Sequence, residues 1–166
     1  MNITVVTSEN NPQLKEMAGL LTHKGRKKSD YFLVEGFRVV REAALAGLPF
    51  ARLALRDDVI ESDRARELLK MPHLKDLPVL KVPRGLLRKL SAMETPQGIV
   101  AQVKRPQPAA VETPRGGLSV ACELMQDPRN LGMLLRTAHA AGATGIYLGD
   151  GSVDWLHPTA VSASAG

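Results

Sequence analysis

Gly132 and Arg136 stand four residues apart in the segment Asp127-Pro-Arg-Asn-Leu-Gly-Met-Leu-Leu-Arg-Thr-Ala-His-Ala-Ala-Gly142. On a helix that spacing puts both residues on one face. Helical side chains lean toward the N-terminus, so the Arg136 guanidinium is carried back over a residue that has no Cβ. Asn130 stands where a cap accepting an N–H of the first turn is expected. The pattern predicts a shallow gap floored by backbone, at the positive end of a helix, with a fixed cation beside it. A phosphate or a ribose fits such a gap. Each residue also has a plainer use, Asn130 as a cap alone and Arg136 as a solvated cation. Gly132 favours the chemical reading, because glycine within a helix costs about 1 kcal/mol relative to alanine. An arginine keeps its proton, so its contribution would be electrostatic rather than that of a general base.

A second group of candidates is Lys24-Gly-Arg-Lys-Lys28, where Lys24, Arg26, Lys27 and Lys28 place four cations in five residues. The cluster is expected in a loop ahead of a strand over Tyr31–Val34. There it would neutralise several phosphates and make affinity steeply salt-dependent. A solvated basic loop is the bland alternative. The charge distribution supports the first reading: residues 1–105 carry 19 Lys+Arg and 12 Asp+Glu, residues 106–166 carry 3 and 5, and the whole chain is +5. A basic part joined to a slightly acidic one suggests that the first holds a polyanion. Arg38 is a further candidate contact and Arg41 a weaker one. Aromatic residues are only 4% of the chain, so recognition would rest on backbone and shape rather than on stacking.

These residues need a scaffold, and the pattern describes one. Short β-type runs at Tyr31–Val34, Ala51–Leu55, Val79–Val82 and Ile99–Val103 alternate with helix-type stretches at Pro12–Leu21, Phe37–Ala46, Ser62–Met71 and Arg84–Ala92. Alternation of this kind predicts a layered α/β domain over residues 1–105. Three prolines and a glycine pair between Lys104 and Gly117 predict an interdomain linker at 106–117. The pattern restarts with a buried strand over Leu118–Leu124, a turn at Gln126–Asn130, a helix over Leu131–Ala141 stopped by Gly142, and a strand over Gly145–Leu148. That is one βαβ unit, whose ligand site is expected beyond the carboxyl end of its first strand.

Several classes drop out. No apolar run approaches the roughly 20 residues of a membrane helix, and the first residues lack a signal-peptide layout. The single Cys122 excludes an internal disulfide framework and fits a reducing cytosol. The four histidines have no metal-ligand spacing, so no metal site is expected. Neither G-x-G-x-x-G after a strand nor a P-loop occurs.

Asn130-Leu-Gly-Met-Leu-Leu-Arg-Thr-Ala, preceded by Gln126-Asp-Pro and followed by Ala141-Gly, resembles the first signature motif of the SpoU-type RNA ribose 2′-O-methyltransferases, members of the trefoil-knotted SPOUT superfamily. His157-Pro-Thr-Ala-Val-Ser-Ala-Ser-Ala-Gly166 is similar to the next family segment, with Thr159 and Ser162 where basic residues are common. Asn11-Pro-Gln-Leu-Lys15, Lys24–Lys28, Phe32-Leu-Val-Glu-Gly36 and Thr95-Pro-Gln-Gly98 resemble the substrate-binding domain that many members carry. The resemblance implies a small RNA-binding α/β domain followed by the start of a doubly wound, knotted parallel-sheet domain at 118–166. It implies S-adenosylmethionine as cofactor, RNA as partner (ribosomal preferred, transfer RNA the alternative), a cytoplasmic homodimer, Arg136 as the catalytic residue and Asn130 as a residue shaping the site. As alkoxide character develops on the ribose oxygen, a fixed guanidinium can stabilise it or hold the adjacent phosphate.

Two later family segments, which form the knot and hold the cofactor, have no counterpart here. The resemblance therefore implies a truncated methyltransferase domain that is inactive alone, with its cofactor-binding residues in the missing segment. A non-catalytic RNA-binding protein without a cofactor site is the competing reading.

Overall fold

Alternation of apolar side chains along the strands builds two cores, one on each face of a single sheet. The computed structural model describes residues 2–107 and 117–165. In its first part, strands β1 (Asn2–Val5), β2 (Tyr31–Glu35), β3 (Phe50–Arg56), β4 (Pro78–Val82) and β5 (Ile99–Lys104) form one sheet in the order β1-β4-β3-β5-β2. The β1–β4 and β4–β3 pairs are parallel, whereas β5 runs antiparallel to both β3 and β2. Phe32, Val34, Leu53, Leu55, Val79, Ile99, Ala101 and Val103 point to one core, and Leu33, Ala54, Leu80, Val82 and Val100 to the other.

Helices α3 (Phe37–Leu45) and α4 (Asp63–Leu69) cover the first face through Val40, Ala44, Ala65 and Leu68. Helices α1 (Pro12–Gly19) and α5 (Arg84–Arg88) cover the second through Leu14, Met17 and Leu87. Local chemistry sets the starts of these helices. The Asn11 carboxamide accepts the N–H groups of Gln13 and Leu14 at 2.9 and 3.2 Å ahead of Pro12, and the Ser62 hydroxyl accepts that of Ala65, each satisfying orphan donors of a first turn.

In the second part, β6 (Leu118–Cys122) and β7 (Ala143–Leu148) pair in parallel through the crossover helix α6 (Pro128–Ala140), and α7 (Pro158–Ser164) packs on α6. Gly142 ends α6 with φ of 78°, the left-handed position that glycine adopts without steric cost.

The structure departs from the sequence expectations at several points. Residues 23–27 form a short helix, α2 (His23–Lys27), capped by the Thr22 hydroxyl, rather than a loop. The strand expected to be buried after residue 117 is largely exposed, with Leu118 at 49%, because the crossover helix α6 packs mainly on β7. β1 and α7 carried no clear periodic signal: β1 is an edge strand exposed at every position, and α7 is built from small residues. The helix expected over Arg84–Ala92 closes early, at Arg88. Most of the expected linker, 108–116, lies outside the described residues.

Candidate nucleotide site between the two parts

The gap expected over Gly132 is filled. A Cβ at this residue would lie 2.4 Å from the Ala160 carbonyl oxygen and 2.5 Å from the Ala163 Cβ. Gly132 is therefore the point where α7 crosses α6 at backbone contact, as small residues permit. The glycine answers to helix packing, not to a ligand floored by its backbone.

Asn130 is not the cap. Asp127 takes that position, its Oδ1 accepting the N–H groups of Arg129 and Asn130 at 2.7 and 3.1 Å, with Pro128 opening the helix. The carboxylate satisfies the same orphan donors and adds a negative charge at the positive helix end. Asn130 sits exposed in the first turn, its carboxamide not used for capping. Arg136 lies six residues further, about 9 Å along the axis, so the two residues border different stretches of the helix surface.

Arg136 opens on a cavity of about 680 Å³ shared by the two parts of the chain. His139, Trp155 and Val161 join it on one side, and Phe32, Val39 and Glu42 form the facing wall. This is within the usual size of a small-molecule or nucleotide pocket, mostly apolar with a few polar groups. The Arg136 side chain is exposed and makes no hydrogen bond or ion pair among the described residues. Its guanidinium is thus free for an anionic group. Trp155, the only tryptophan of the chain, is 38% exposed beside it and can stack on a base. Sequence reasoning missed Trp155, Glu42 and His139, because their meeting depends on how the two parts pack.

That packing is fixed by Arg26, which corrects its expected role as an RNA contact. Arg26 is 1% exposed. Its Nε donates to Asp154 Oδ2 at 2.7 Å, and its Nη1 to the carbonyls of Leu20 and Leu21 at 3.0 and 2.9 Å. With those bonds its charge is turned inward. Burial pushes the Asp154 carboxyl up, but the Arg26 hydrogen bond, the Leu156 N–H and the charges of Arg26 and Arg105 outweigh burial and hold it below the usual range. Asp154 also shapes the chain that follows, accepting the Leu156 N–H at 3.0 Å. Leu156 then enters the core of the first part at 2% exposure. His157 caps α7, its Nδ1 accepting the Thr159 N–H at 3.2 Å. Burial and the nearby Arg26 charge lower its pKa, with Asp154 opposing them, so the imidazole is held neutral with Nδ1 as acceptor.

The remaining basic candidates are exposed. Lys24, Lys27 and Lys28 project from α2, and Arg38 from the first turn of α3. Lys24, Lys27 and Lys28 sit near the amino end of β2, whereas Arg38 sits near its carboxyl end, so the structure does not gather them into one patch. No group of His, Cys, Asp and Glu suited to a metal ion occurs among the described residues.

In an open parallel sheet the ligand site lies beyond the carboxyl ends of the strands, here β6 and β7. The segments leaving these strands, 123–127 and 149–153, do not line the cavities of about 680, 400, 170 and 60 Å³. None of these four cavities lies at that position.

Comparison with known proteins places this geometry. Residues 11–101 match the family described as MRM3-like substrate binding domain, and residues 117–166 match the SpoU rRNA methylase family. The chain is 31% identical to an uncharacterized tRNA/rRNA methyltransferase of Synechocystis sp., over 99% of this chain and 60% of the relative. It is also 31% identical to the Bacillus subtilis 23S rRNA (guanosine(2553)-2′-O)-methyltransferase RlmP, over 90% of this chain and 56% of the relative. Among solved structures, an RNA 2′-O ribose methyltransferase superposes with a TM-score of 0.83 at 30% identity, covering 98% of this chain and 62% of that one. The SpoU methyltransferase AviRb from Streptomyces viridochromogenes, solved in complex with AdoMet, superposes with a TM-score of 0.84 at 27% identity, covering 95% and 60%. The chain thus spans about three fifths of the length of these relatives. With residues 11–101, more than half of its length, matched, this chain belongs to the MRM3-like substrate-binding family, and it continues at residues 117–166 into a segment that matches the SpoU rRNA methylase family.

Proposed function

We propose that the protein serves S-adenosylmethionine-dependent methylation of a ribose 2′-hydroxyl in RNA, with ribosomal RNA as substrate. Residues 1–105 recruit the RNA, residues 106–117 link, and residues 118–166 contribute to the methyltransferase domain. The observation that carries the reading is the position of Arg136, on the SpoU signature helix and facing a cavity whose other wall comes from the substrate-binding part. A nucleotide held there is gripped by both parts at once, with its base against Trp155 and its sugar-phosphate toward Arg136. S-adenosylmethionine supplies the methyl group when bound. Arg136 holds the adjacent phosphate, or the ribose oxygen as negative charge develops on it. Asn130, in the first turn of α6, stands outside this cavity, and Lys24, Lys27 and Lys28 hold phosphates beyond it.

The protein acts in the cytoplasm as a homodimer. Support for the first is that no helix among the described residues is long and apolar enough to cross a membrane, together with a free Cys122. Support for the second is the exposure of Leu118, Leu124 and Met133 on the SpoU segment, apolar surface that a second copy would cover. An RNA-binding chain without its own cofactor site is the second reading, favoured by the placing of the four cavities named above away from residues 123–127 and 149–153. Gene deletion followed by mass spectrometry of ribosomal RNA nucleosides separates the two. Loss of one 2′-O-methylated nucleoside supports the methyltransferase, and an unchanged methylation pattern supports the binding protein.

A further inference from the structure

The strand register brings four strand ends to one edge of the five-stranded sheet. Arg56 at the end of β3 stands beside Val82 at the end of β4, Leu55 beside Ile99 at the start of β5, and Glu35 at the end of β2 beside Val100. Lys24, Lys27 and Lys28 belong to the opposite edge, where Tyr31 opens β2 beside Lys104. The four strand steps between Tyr31 and Glu35 separate the two edges by about 13 Å.

Six arginines gather at the first edge, on the two sides of the loop 94–97. Arg56, Arg84 and Arg88 line a cleft of about 170 Å³ against Thr95. Arg38, Arg41 and Arg64 line a second cleft of about 400 Å³ closed by Gln97. No lysine lines either cleft. Guanidinium forks suit the paired oxygens of a phosphodiester better than a point ammonium does. Arg56 and Arg41 are paired with Asp58 and Glu42, and Glu94 and Glu67 also border the clefts, which leaves a positive excess. Arg38, Arg84 and Arg88 make no hydrogen bond or salt bridge among the described residues, although Arg84 lies close enough to Asp58 to help lower its pKa. Arg84 and Arg88 are four apart on α5 and so project side by side.

The loop between the clefts is held from beneath. The Glu35 carboxylate, 2% exposed, accepts the Ser91 hydroxyl and, at 3.1 Å, the Ala92 N–H. Arg64 stacks over the Phe37 ring at 3.9 Å while donating to Gln97 Oε1 at 3.1 Å. Gly98 closes the loop at φ of 99°, and a Cβ there would come within 2.8 Å of Val59. A buried carboxylate, a stacked guanidinium and a constrained glycine fix a surface loop that carries few core contacts of its own, so the free arginine forks are presented in a set geometry.

We propose that this arginine edge is a binding site for the phosphodiester backbone of the substrate RNA, distinct from the Lys24–Lys28 helix. The site rests on the RNA reading given above. With both edges engaged, the RNA strand crosses the domain rather than ending at α2.

The test is fluorescence anisotropy of a short, labelled, single-stranded RNA of mixed sequence with the 166-residue chain, titrated between roughly 50 and 200 mM NaCl. Arg84→Ala/Arg88→Ala should lower affinity about tenfold at the low-salt end and reduce the log–log salt slope by about 1.4, the share of two phosphate contacts on a single strand. Arg84→Lys/Arg88→Lys should keep the slope and lose part of the affinity, because charge is retained and fork geometry is not. Thermal melts of both variants should match the parent, since the residues are exposed. Normal binding by the parent with an unchanged slope in the alanine variant would overturn the arginine site. No binding by the parent would overturn the RNA reading beneath it.

Discussion

Replacing Gly132 by alanine sets two effects of opposite sign against each other. Helix propensity alone makes Gly132→Ala stabilising by about 1 kcal/mol, since the residue lies inside α6. Packing opposes this. The added methyl would stand 2.4 Å from the Ala160 oxygen, 2.5 Å from the Ala163 Cβ and 3.0 Å from the Ser164 nitrogen. Ordinary contacts begin near 3.4 Å, so α7 must retreat by about 1 Å, and no flexible side chain is available to yield in its place. Overpacking of this kind costs roughly 1–3 kcal/mol, leaving a net destabilisation of up to about 2 kcal/mol. Urea unfolding should show a lower midpoint with an unchanged slope, and the melting temperature should fall by up to about 8 °C. The displacement also reaches the Val161 wall of the Arg136 cavity, so methylation should fall with it. A raised urea midpoint would refute the packing account of Gly132 and return the residue to the ligand-gap reading.

Other consequences follow from the groups that join the two parts. Arg26→Met leaves Asp154 without its cation and should cost about 3 kcal/mol in urea unfolding. Adding Asp154→Leu should restore part of the loss, and a milder effect in the single variant than in the double would contradict the pairing. The Asp154 carboxyl is held below its ordinary 3.8, so its contribution is complete above that pH and is lost as pH falls through the lower folded value. His157 is a base whose folded pKa is lowered from 6.5; its stabilising contribution is complete above pH 6.5 and shrinks below it, as the Nδ1 cap of α7 becomes protonated. His157→Ser keeps a cap and should flatten that slope in melts taken from pH 7.5 to 5.5. Burial raises the Glu35 carboxyl above 4.5, with hydrogen bonds from Ser91, Ala92 and Met93 opposing it. The Glu35 contribution is therefore greatest below 4.5 and declines as pH rises through the folded value, so Glu35→Gln should be neutral or stabilising at pH 7 and lack that decline.

The sequence made the scaffold legible wherever one face of an element is buried. Phe37, Val40 and Ala44 gave the period of α3, and the runs that became β2 to β5 are apolar on both faces because helices cover both. β1 and α7 escaped notice for physical reasons: a four-residue edge strand offers only Ile3 and Val5 in alternation, and a helix of small residues around the single Val161 has little amphipathic contrast. The candidate site was only partly readable. Arg136 was identifiable from its spacing and its motif, but Trp155 and Glu42 meet it only through tertiary packing. Gly132 and Arg26 were read as ligand groups because spacing and charge do not distinguish a helix crossing from a nucleotide gap, or an inward guanidinium from an outward one. Asp127 outcompeted Asn130 for the cap because Pro128 fixes the start of the helix one residue after it.

The central claim is that Arg136, facing the cavity between the substrate-binding part and the SpoU segment, acts in methyl transfer rather than in RNA capture. The most direct measurement complements a deletion strain with the Arg136→Ala gene, reads 2′-O-methylnucleosides in its ribosomal RNA, and compares RNA affinity of the purified variant chain with that of the parent. The missing methylation should not be restored, while RNA affinity should stay within about twofold, the electrostatic part of binding being carried by the other basic residues. Restored methylation in the Arg136→Ala strain would contradict it.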